Sequence, residues 1–435
     1  MRRYVLTCVI ALLLQSKDVQ AFMVAGPTHL LPKPLSKDVG ANLCILNAEK
    51  SAADKIDEKD LGTEGAEKNP VDELSDERKA NLFQFLLRDL EVEGIPLLGC
   101  DADQVHALQG ALWTTMGQLS ESDSENKACL VLENIPVDVL RTLVDDFVQL
   151  KTETRLMDFL PELQRFNLSL LGKGVGPAIL IEAAARNEEE KTTYSEIKEA
   201  SLEPDETKWT AAMKSFTSRM ANGPDVQPGP VGYRLTLSPD VCDVMSAFWT
   251  GICELLARTD EELSSIVLCL PPLPDITDPF KAHDRFAAVS ELLSRSLCLY
   301  RGQDLFEIMH MHPLYDRDSI NPKDKLAHGH LPPTGWLRAM LQQNGNVDEA
   351  DKMTSEDLSL QNYQRRSPMP AVSIKRVVQL DSSGSAMVEL DLGDGRIEEV
   401  SGIPTYSRNA IRLAKEGKEN LQSAVDAETA LSKQL

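Results

Sequence analysis

Ala247-Phe-Trp-Thr-Gly-Ile-Cys-Glu-Leu255 repeats an earlier stretch of the chain, Ala111-Leu-Trp-Thr-Thr-Met-Gly-Gln-Leu119. Apolar residues in and around both stretches recur at the helical spacing of three and four, so each predicts an amphipathic helix. The same offset aligns the apolar run 130–132 with 266–268 without a gap. We therefore predict an internal duplication. The alternative is a chance similarity between two amphipathic helices.

Each copy continues with the same kinds of segment. A short apolar run precedes each helix, at 97–99 and at 233–235, and a second helix and a third apolar strand follow. The predicted second helices are 139–150 and 285–297, and the predicted third strands are 178–182 and 305–311. Two consecutive βαβαβ units predict an α/β fold with helices layered on a sheet, and an α+β arrangement stays open.

Composition shifts set the predicted boundaries of these units. An acidic, helical-looking stretch and a Pro/Gly segment separate the two copies, and they are interpreted as a linker. The predicted segments are an N-terminal unit at 77–186, the linker at 187–230, a C-terminal unit at 231–435 with an insertion at 316–361, a hairpin at 386–400 and a final helix at 409–431.

The amino terminus has the pattern of a secretory signal. Arg2 and Arg3 precede the apolar run Tyr4–Leu14, which is too short to span a bilayer. The slim residues of Val19-Gln20-Ala21 fit a cleavage site. These features predict a signal peptide at 1–21; the alternative is an apolar helix that begins the fold.

The stretch Gln20-Ala-Phe-Met-Val-Ala-Gly-Pro27 resembles the Ala-Phe-Ala-Pro junction of diatom and related algal plastid preproteins. In those proteins a signal peptide is followed by a transit peptide that starts with Phe. The resemblance implies a plastid protein of the chloroplast stroma, with a transit peptide and an acidic lead-in at 22–76. Secretion or the endomembrane lumen is the alternative.

Charge and composition exclude some partners. The chain has 435 residues, of which 42% are apolar, and its 45 basic against 68 acidic residues give a net charge of −23. A chain this acidic repels phosphate backbones and anionic membranes, so we predict no nucleic-acid partner and no membrane partner after processing. The eight cysteines include no Cys-x-x-Cys pair, which predicts reduced thiols.

Three motifs of the C-terminal unit resemble a known family. They are His312-Pro-Leu-Tyr315, Asn362-Tyr-Gln-Arg-Arg-Ser-Pro-Met-Pro370 and Ile403-Pro-Thr-Tyr-Ser-Arg-Asn409. The pattern is similar to a family of mostly bacterial proteins known as domain of unknown function 1415, over roughly 233–425. The family's Cys-Pro-Phe motif has no cysteine in the matching region 220–224. The resemblance therefore implies a fold and a site location rather than an activity.

The first two motifs contain the candidate ligand-binding residues. Ser367-Pro368 is typical of a helix start, which would place Arg365 and Arg366 beside free amides and a positive helix end. We expect the imidazole of His312 near Ser367 and the Arg366 guanidinium, in a partly open pocket for a small anionic ligand. Two alternatives remain: these side chains only hold the fold, or 371–380 is a strand. The candidate residues are His312, Tyr315, Arg365, Arg366 and Ser367.

A metal site and a cofactor site were weighed against this interpretation. Four imidazoles, those of His310, His312, His328 and His330, give a zinc alternative. Gly172-Lys-Gly-Val-Gly176 leads into an apolar strand, whereas a phosphate-binding loop opens a helix, so no cofactor is predicted.

Two functions stay open at this point. The C-terminal unit binds or acts on a small anionic ligand, or the chain is a non-catalytic module that contacts another plastid protein. In the second case the contact would use the acidic surface and an amphipathic helix around Trp336, which should then be exposed. The sequence does not decide whether the protein is an enzyme.

Overall fold

The structure is a computed structural model. It describes residues 44–46, 97–101, 105–122, 126–133, 135–152, 158–171, 178–186, 206–221, 229–236, 238, 240–270, 279–299, 302–320, 330–377, 387–393 and 395–433. The predicted signal peptide at 1–21 and almost all of the segment 22–76 lie outside these residues.

The described elements are numbered in chain order. The strands are β1 (Cys44–Leu46), β2 (Leu97–Asp101), β3 (Lys127–Glu133), β4 (Phe166–Leu170), β5 (Ala178–Ala183), β6 (Val231–Leu235), β7 (Ser265–Cys269), β8 (Phe306–Met311), β9 (Ala371–Arg376), β10 (Val388–Asp391) and β11 (Ile397–Val400). The helices are α1 (Val105–Glu121), α2 (Val137–Lys151), α3 (Glu206–Ala221), α4 (Val241–Ala257), α5 (Pro279–Leu299), α6 (Arg317–Ile320), α7 (Leu337–Gln343), α8 (Val347–Lys352), α9 (Ser355–Ser359), α10 (Ile403–Glu416) and α11 (Lys418–Lys433).

Apart from β1, which pairs antiparallel with β2 at the edge of the first sheet, the two main sheets share one strand order. In the first sheet β2 runs parallel to β3, β3 pairs antiparallel with β5, and β5 pairs antiparallel with β4. The second sheet repeats this with β6, β7, β9 and β8. Each unit is therefore βαβαββ, and the predicted α/β class is confirmed. The shared order is what a duplication would produce; the duplication itself stays a prediction.

Each predicted βαβαβ unit had three strands, whereas each observed βαβαββ unit has four. β4 and β9 were not among the predicted third strands, although 371–380 had been noted as a possible strand. By position in the sheet, β5 corresponds to β9 and not to β8. The first strands are also shifted: Leu97 pairs with Cys129 and Val231 with Ser265, so Leu97 corresponds to Val231. Short apolar runs cannot show this, because register depends on strand pairing.

Helices α1 and α4 join the two units by packing against each other. Small residues allow this close approach: Thr114 Oγ1 lies 2.6 Å from Ser246 Oγ, and Gly110 lies against Trp249. Trp113 and Trp249, the tryptophans of the repeated stretch, are both buried on these helices. One continuous hydrophobic core consequently includes residues from both sheets.

The predicted linker contains a packed helix. Met213 and Phe216 of α3 are buried against Val267 and Cys269, which lie on the face of the second sheet opposite α4. The prediction of a linker at 187–230 is therefore wrong for residues 206–221. The helix resembles a solvated segment in sequence because only one of its faces is apolar.

The insertion and the carboxyl end fold together. Trp336, Leu337 and Leu341 pack with Leu390 of the hairpin and Ile403 of α10 in a second hydrophobic cluster. Trp336 is only 5% exposed, so the exposed Trp336 that would favour the interaction-module alternative is not observed. None of the described helices is long and apolar enough to cross a membrane.

Candidate functional site

The two most specific motifs meet just beyond the end of β8. The backbone N–H of His312 donates to the carbonyl of Arg365 at 2.9 Å. The Arg366 Nε donates to the carbonyl of Tyr315 at 3.1 Å. The residues in between fold back on themselves, so that sequence positions about fifty apart become neighbours.

His312 is buried in an aromatic environment. Its ring centroid lies 4.8 Å from that of His283 and 5.2 Å from that of Phe286, and the residue is 4% exposed. The N–H of Leu314 donates to His312 Nδ1, which fixes this nitrogen as an acceptor. Burial, with a smaller contribution from His283, lowers the pKa of His312 to about 3. A neutral, enclosed imidazole does not supply the positive charge that an anion needs.

Three other candidates hold the fold. The guanidinium of Arg366 lies over the ring of Tyr363 at 4.6 Å, and the hydroxyl of Tyr315 accepts from the N–H of Leu331. Ser367 is fully buried, and its Oγ donates to the carbonyl of Met369 at 2.5 Å. A short bend and then β9 follow, so the predicted helix start at Ser367 is wrong and the strand alternative is confirmed.

Arg365 behaves differently from its neighbour Arg366. The residue is 9% exposed, and its Nε is buried without a hydrogen-bond partner. Within the described part of the chain, the Arg365 guanidinium has no hydrogen bond and no close ion pair. Buried charged groups in proteins are normally paired, so an unpaired guanidinium is the feature that most needs a physical explanation.

Arg365 influences the protonation of two further side chains, those of Lys375 and Tyr406. The charge of Arg365 lowers the pKa values of Lys375 and Tyr406, although burial is the larger influence on both and raises the pKa of Tyr406. Glu307 has the opposite effect on the same two groups. Among the described residues, the side chains of Lys375, Tyr406 and Glu307 have no hydrogen bond or close ion pair either.

The sheet register explains how two of these groups come together. Glu307 of β8 is the direct cross-strand partner of Lys375 of β9. Both side chains are half-buried and project from the face of the sheet opposite α4. Burial nevertheless dominates the pKa of Lys375. The corresponding pair in the first sheet is Ser169 and Leu180.

The motif Ile403–Asn409 brings Tyr406 toward this region. Asn409 Nδ2 donates to Gln364 Oε1 at 2.8 Å, which attaches α10 to the residue before Arg365. Tyr406 lies in the first turn of this helix. All three motifs thus converge on Arg365, whereas the sequence had indicated Arg366 as the main cationic group.

Lys375, Tyr406 and Glu307 were missed by the sequence reasoning. Tyr406 had been quoted only as part of a motif, and Lys375 only as part of a possible strand. The available signal was a lysine directly after Ala371-Val-Ser-Ile374 in a predicted strand, where a charge is uncommon. Glu307 carries the same signal in β8.

The histidines form an aromatic cluster. The ring centroids of His310 and His330 are 4.8 Å apart, and His330 Nδ1 lies 3.2 Å from the hydroxyl of Tyr315. His328 lies outside the described residues. No group of three or more His, Cys, Asp or Glu side chains that could hold a metal ion occurs in the described part of the chain.

Comparison with known proteins identifies no relative: no family model, no curated protein and no solved structure matches this chain.

Proposed function

We propose that the C-terminal unit binds a small anion, a carboxylate or a phosphate, between Arg365, Lys375 and Tyr406. The observation that carries the proposal is Arg365: its Nε is buried, and its guanidinium has no hydrogen bond or close ion pair among the described residues. A planar guanidinium offers several N–H donors in a geometry that matches carboxylate and phosphate oxygens. Lys375 adds a second positive charge and Tyr406 adds a hydroxyl donor.

Energetics favour a ligand at this position. A partly buried charge without a partner costs free energy, and a second cation within electrostatic reach adds to that cost. A bound anion relieves both costs at once, because each oxygen accepts a charge-assisted hydrogen bond. In a chain with a net charge of −23, two adjacent cations with no close ion pair are a local exception.

The resemblance to the domain-of-unknown-function family is consistent with this location, since the three motifs that carry it converge on Arg365. The competing interaction-module hypothesis is weakened, because the Trp336 side chain that was to contact a partner is buried. An acidic surface remains available to a protein partner, but no described contact favours one.

We also propose delivery to the plastid stroma, on the strength of the Phe22 junction. Cysteine chemistry supports a reducing compartment: Cys129, Cys242, Cys253 and Cys269 are buried free thiols. Burial raises the pKa of Cys129 and that of Cys269 to about 12, so these thiols stay protonated and unreactive.

Thermal unfolding with and without anions tests the binding proposal. Pyruvate, acetate, citrate and inorganic phosphate are added separately to the wild type and to the variants Arg365→Met and Lys418→Gln. We expect at least one anion to raise the wild-type Tm, because a ligand of the native state stabilises it by about 2.7 kcal/mol at a hundredfold excess over Kd. Lys418→Gln, which removes one exposed charge, should respond like the wild type.

Arg365→Met should show two changes together. Its Tm should no longer depend on the anion, and in anion-free buffer it should be at least as stable as the wild type, since an unpaired buried charge has been replaced by an apolar side chain. Marked destabilisation of Arg365→Met in anion-free buffer would mean that the guanidinium holds the fold. Absence of any anion effect on the wild type would also refute the proposal.

A further inference from the structure

The chain contains a single acceptor sequence for N-linked glycosylation, Asn167-Leu168-Ser169. The enzyme that adds an N-linked glycan recognises Asn-x-Ser or Asn-x-Thr, with any residue except proline in the middle. Such a sequence usually lies on a surface loop of a secreted protein. Here it lies within β4, so its suitability depends on the side of the strand from which each residue projects.

The alternation of the strand exposes both recognised residues. Asn167 and Ser169 are exposed, whereas Leu168 between them is 6% exposed and belongs to the hydrophobic core. Successive side chains of a strand point to opposite faces of its sheet, so the asparagine and the serine are neighbours on the exposed side of β4. The fold therefore buries the one residue of the three that the glycan-transferring enzyme does not read.

One hydrogen bond fixes the orientation of the Asn167 amide. Lys151 Nζ donates to Asn167 Oδ1 at 3.1 Å, and it also donates to the carbonyl of Phe166. An ammonium group can only donate, so the atom that faces it must be the amide oxygen. Asn167 Nδ2, the nitrogen that would carry the glycan, is therefore directed away from Lys151 and has no hydrogen bond among the described residues.

A glycan on Nδ2 leaves the contacts of this residue intact. The modified amide keeps its oxygen, so Lys151 can still donate to it. In the described part of the chain β4 is an edge strand, paired only with β5. Edge strands are places where chains aggregate, and natural proteins protect them with lysines and other solvated groups. A bulky, solubilising sugar chain on Asn167 would add to the protection that Lys151 gives this edge.

We propose that Asn167 is a site of N-linked glycosylation, modified while the chain passes through the secretory route. The inference rests on the proposed delivery to the plastid, because the signal that begins this delivery brings the chain into the lumen where N-linked glycans are added. The second reactant is an oligosaccharide carried on a lipid diphosphate. A chain that reached the stroma directly from the cytosol would not meet this donor.

The transfer is balanced between these two reactants. The amide nitrogen of Asn167 attacks the anomeric carbon of the oligosaccharide, and the bond between that carbon and the diphosphate oxygen breaks. The lipid diphosphate leaves with the bonding electron pair, and one amide proton passes to a base of the glycan-transferring enzyme. Nothing is oxidised or reduced. The second amide proton and the amide oxygen stay on the residue.

Cell-free translation of the full chain with rough microsomes tests the inference. Translocation is measured by protection from added protease, signal cleavage after Ala21 by N-terminal sequencing, and glycosylation by a mobility shift that endoglycosidase H reverses. We expect one glycan on the translocated wild-type chain. Asn167→Gln should lose it, and so should Ser169→Ala, which removes the hydroxyl and leaves the asparagine unchanged.

Two variants serve as matched controls. Ser169→Thr keeps a hydroxyl at the required position and should keep the glycan. Asn420→Gln removes an exposed asparagine that lies outside an acceptor sequence, and it should keep the glycan as well. Peptide mapping then locates the site, because a peptide-N-glycosidase turns the modified asparagine into an aspartate as it removes the sugar.

The outcomes separate this inference from the proposed delivery. A wild-type chain that is translocated and cleaved but carries no glycan refutes the glycosylation and leaves the delivery standing. A chain that is neither protected nor cleaved refutes the secretory step and the glycosylation with it. A glycan that persists in Asn167→Gln or in Ser169→Ala would also refute the assignment to Asn167. Each variant is scored only on its protected chains, so that failed translocation is not counted as loss of the glycan.

Discussion

Arg365 and Arg366 are neighbours in the chain with opposite environments. Arg366 is held by the ring of Tyr363 and by the carbonyl of Tyr315, whereas Arg365 is nearly buried and has no partner in the described residues. Consecutive side chains of a non-helical segment project to different sides of the backbone. Two identical residues therefore have different roles, and only their contacts show which of them is available to a ligand.

Because His312 is buried, the stability of the protein should depend on pH in a specific way. Its pKa is about 3 in the folded chain and about 6.5 when unfolded, so the unfolded state binds the proton more readily between these values. The free energy of unfolding should consequently fall as the pH drops below about 6.5. Below about pH 3 the histidine is protonated in both states, and its contribution no longer changes. The slope approaches about 1.4 kcal/mol per pH unit.

His312→Phe isolates that contribution in urea unfolding at several pH values. The free energy of unfolding of the wild type should fall relative to that of the variant as the pH drops from 7 to 4. The reason is that the unfolded wild type binds a proton on His312, whereas the phenylalanine of the variant binds none. Val289→Ala, a non-titrating change in the same core, should lower the free energy of unfolding equally at each pH. Parallel curves for wild type and His312→Phe would contradict the assigned pKa.

At the scale of elements, the connection between the last two strands distinguishes the units. Residues 171–177 join β4 to β5, whereas 312–370 join β8 to β9 and contain His312-Pro-Leu-Tyr315 and Asn362–Pro370. Arg317, near the start of this long connection, bonds its middle and its end: its N–H donates to Asn362 Oδ1 and its Nε to the carbonyl of Leu331. The candidate site lies on this connection, which the first unit lacks.

One buried ion pair holds the helices around the site. Arg219 of α3 and Glu428 of α11 form two hydrogen bonds of 2.8 and 3.0 Å, and both side chains are nearly buried. Arg219 also donates to the carbonyls of Tyr363 and Arg366. The pair therefore connects two helices to the segment that contains Arg365.

Glu428→Gln should lower the free energy of unfolding by about 3–5 kcal/mol, because it leaves the Arg219 charge buried and uncompensated. Glu356→Gln, in the exposed pair with Lys418, is the control and should leave the Tm nearly unchanged. The double change Arg219→Met with Glu428→Leu should recover much of the loss. A loss in Glu428→Gln no larger than in the control would show that this pair contributes little.

At the scale of the whole molecule, the two units share a core. Packing of α1 against α4 places side chains from both sheets in one hydrophobic cluster. Separation of the units would expose Trp249 of α4, which packs against Gly110 and His106 of α1. Cooperative unfolding normally follows from a continuous core.

We expect a single unfolding transition for both units in calorimetry. Ile179 and Ile374 occupy corresponding positions in the two sheets, opposite Leu130 and Ile266, and both are fully buried. Ile179→Ala and Ile374→Ala should each lower the one transition, with a cost of about 2–5 kcal/mol. Two transitions, each moved by only one of these substitutions, would mean that the units unfold independently.

Local patterns were sufficient for much of the fold. The repeated Ala-x-Trp-Thr stretch predicted α1 and α4, and the apolar runs around 131 and 267 predicted β3 and β7. The helical-looking stretch that contains α3 was interpreted as a linker, whereas its one apolar face packs on the second sheet. Ser367 does not cap a helix, because its hydroxyl bonds locally to the carbonyl of Met369.

The candidate site likewise contains some residues that the sequence indicated and others that only the fold brings together. Motif resemblance directed attention to the region of His312 and Arg365, because those residues stand in recognisable short patterns. Lys375 and Glu307 become neighbours only through the pairing of β8 with β9, and Tyr406 approaches through the docking of α10.

By itself, the sequence determined the α/β class, the repeated helices and the place where polar motifs accumulate, since periodicity and residue type are local properties. Only the tertiary structure decided which charge is left without a partner. Pairing and burial depend on strand register and helix packing, and these bring together side chains that are far apart in the chain.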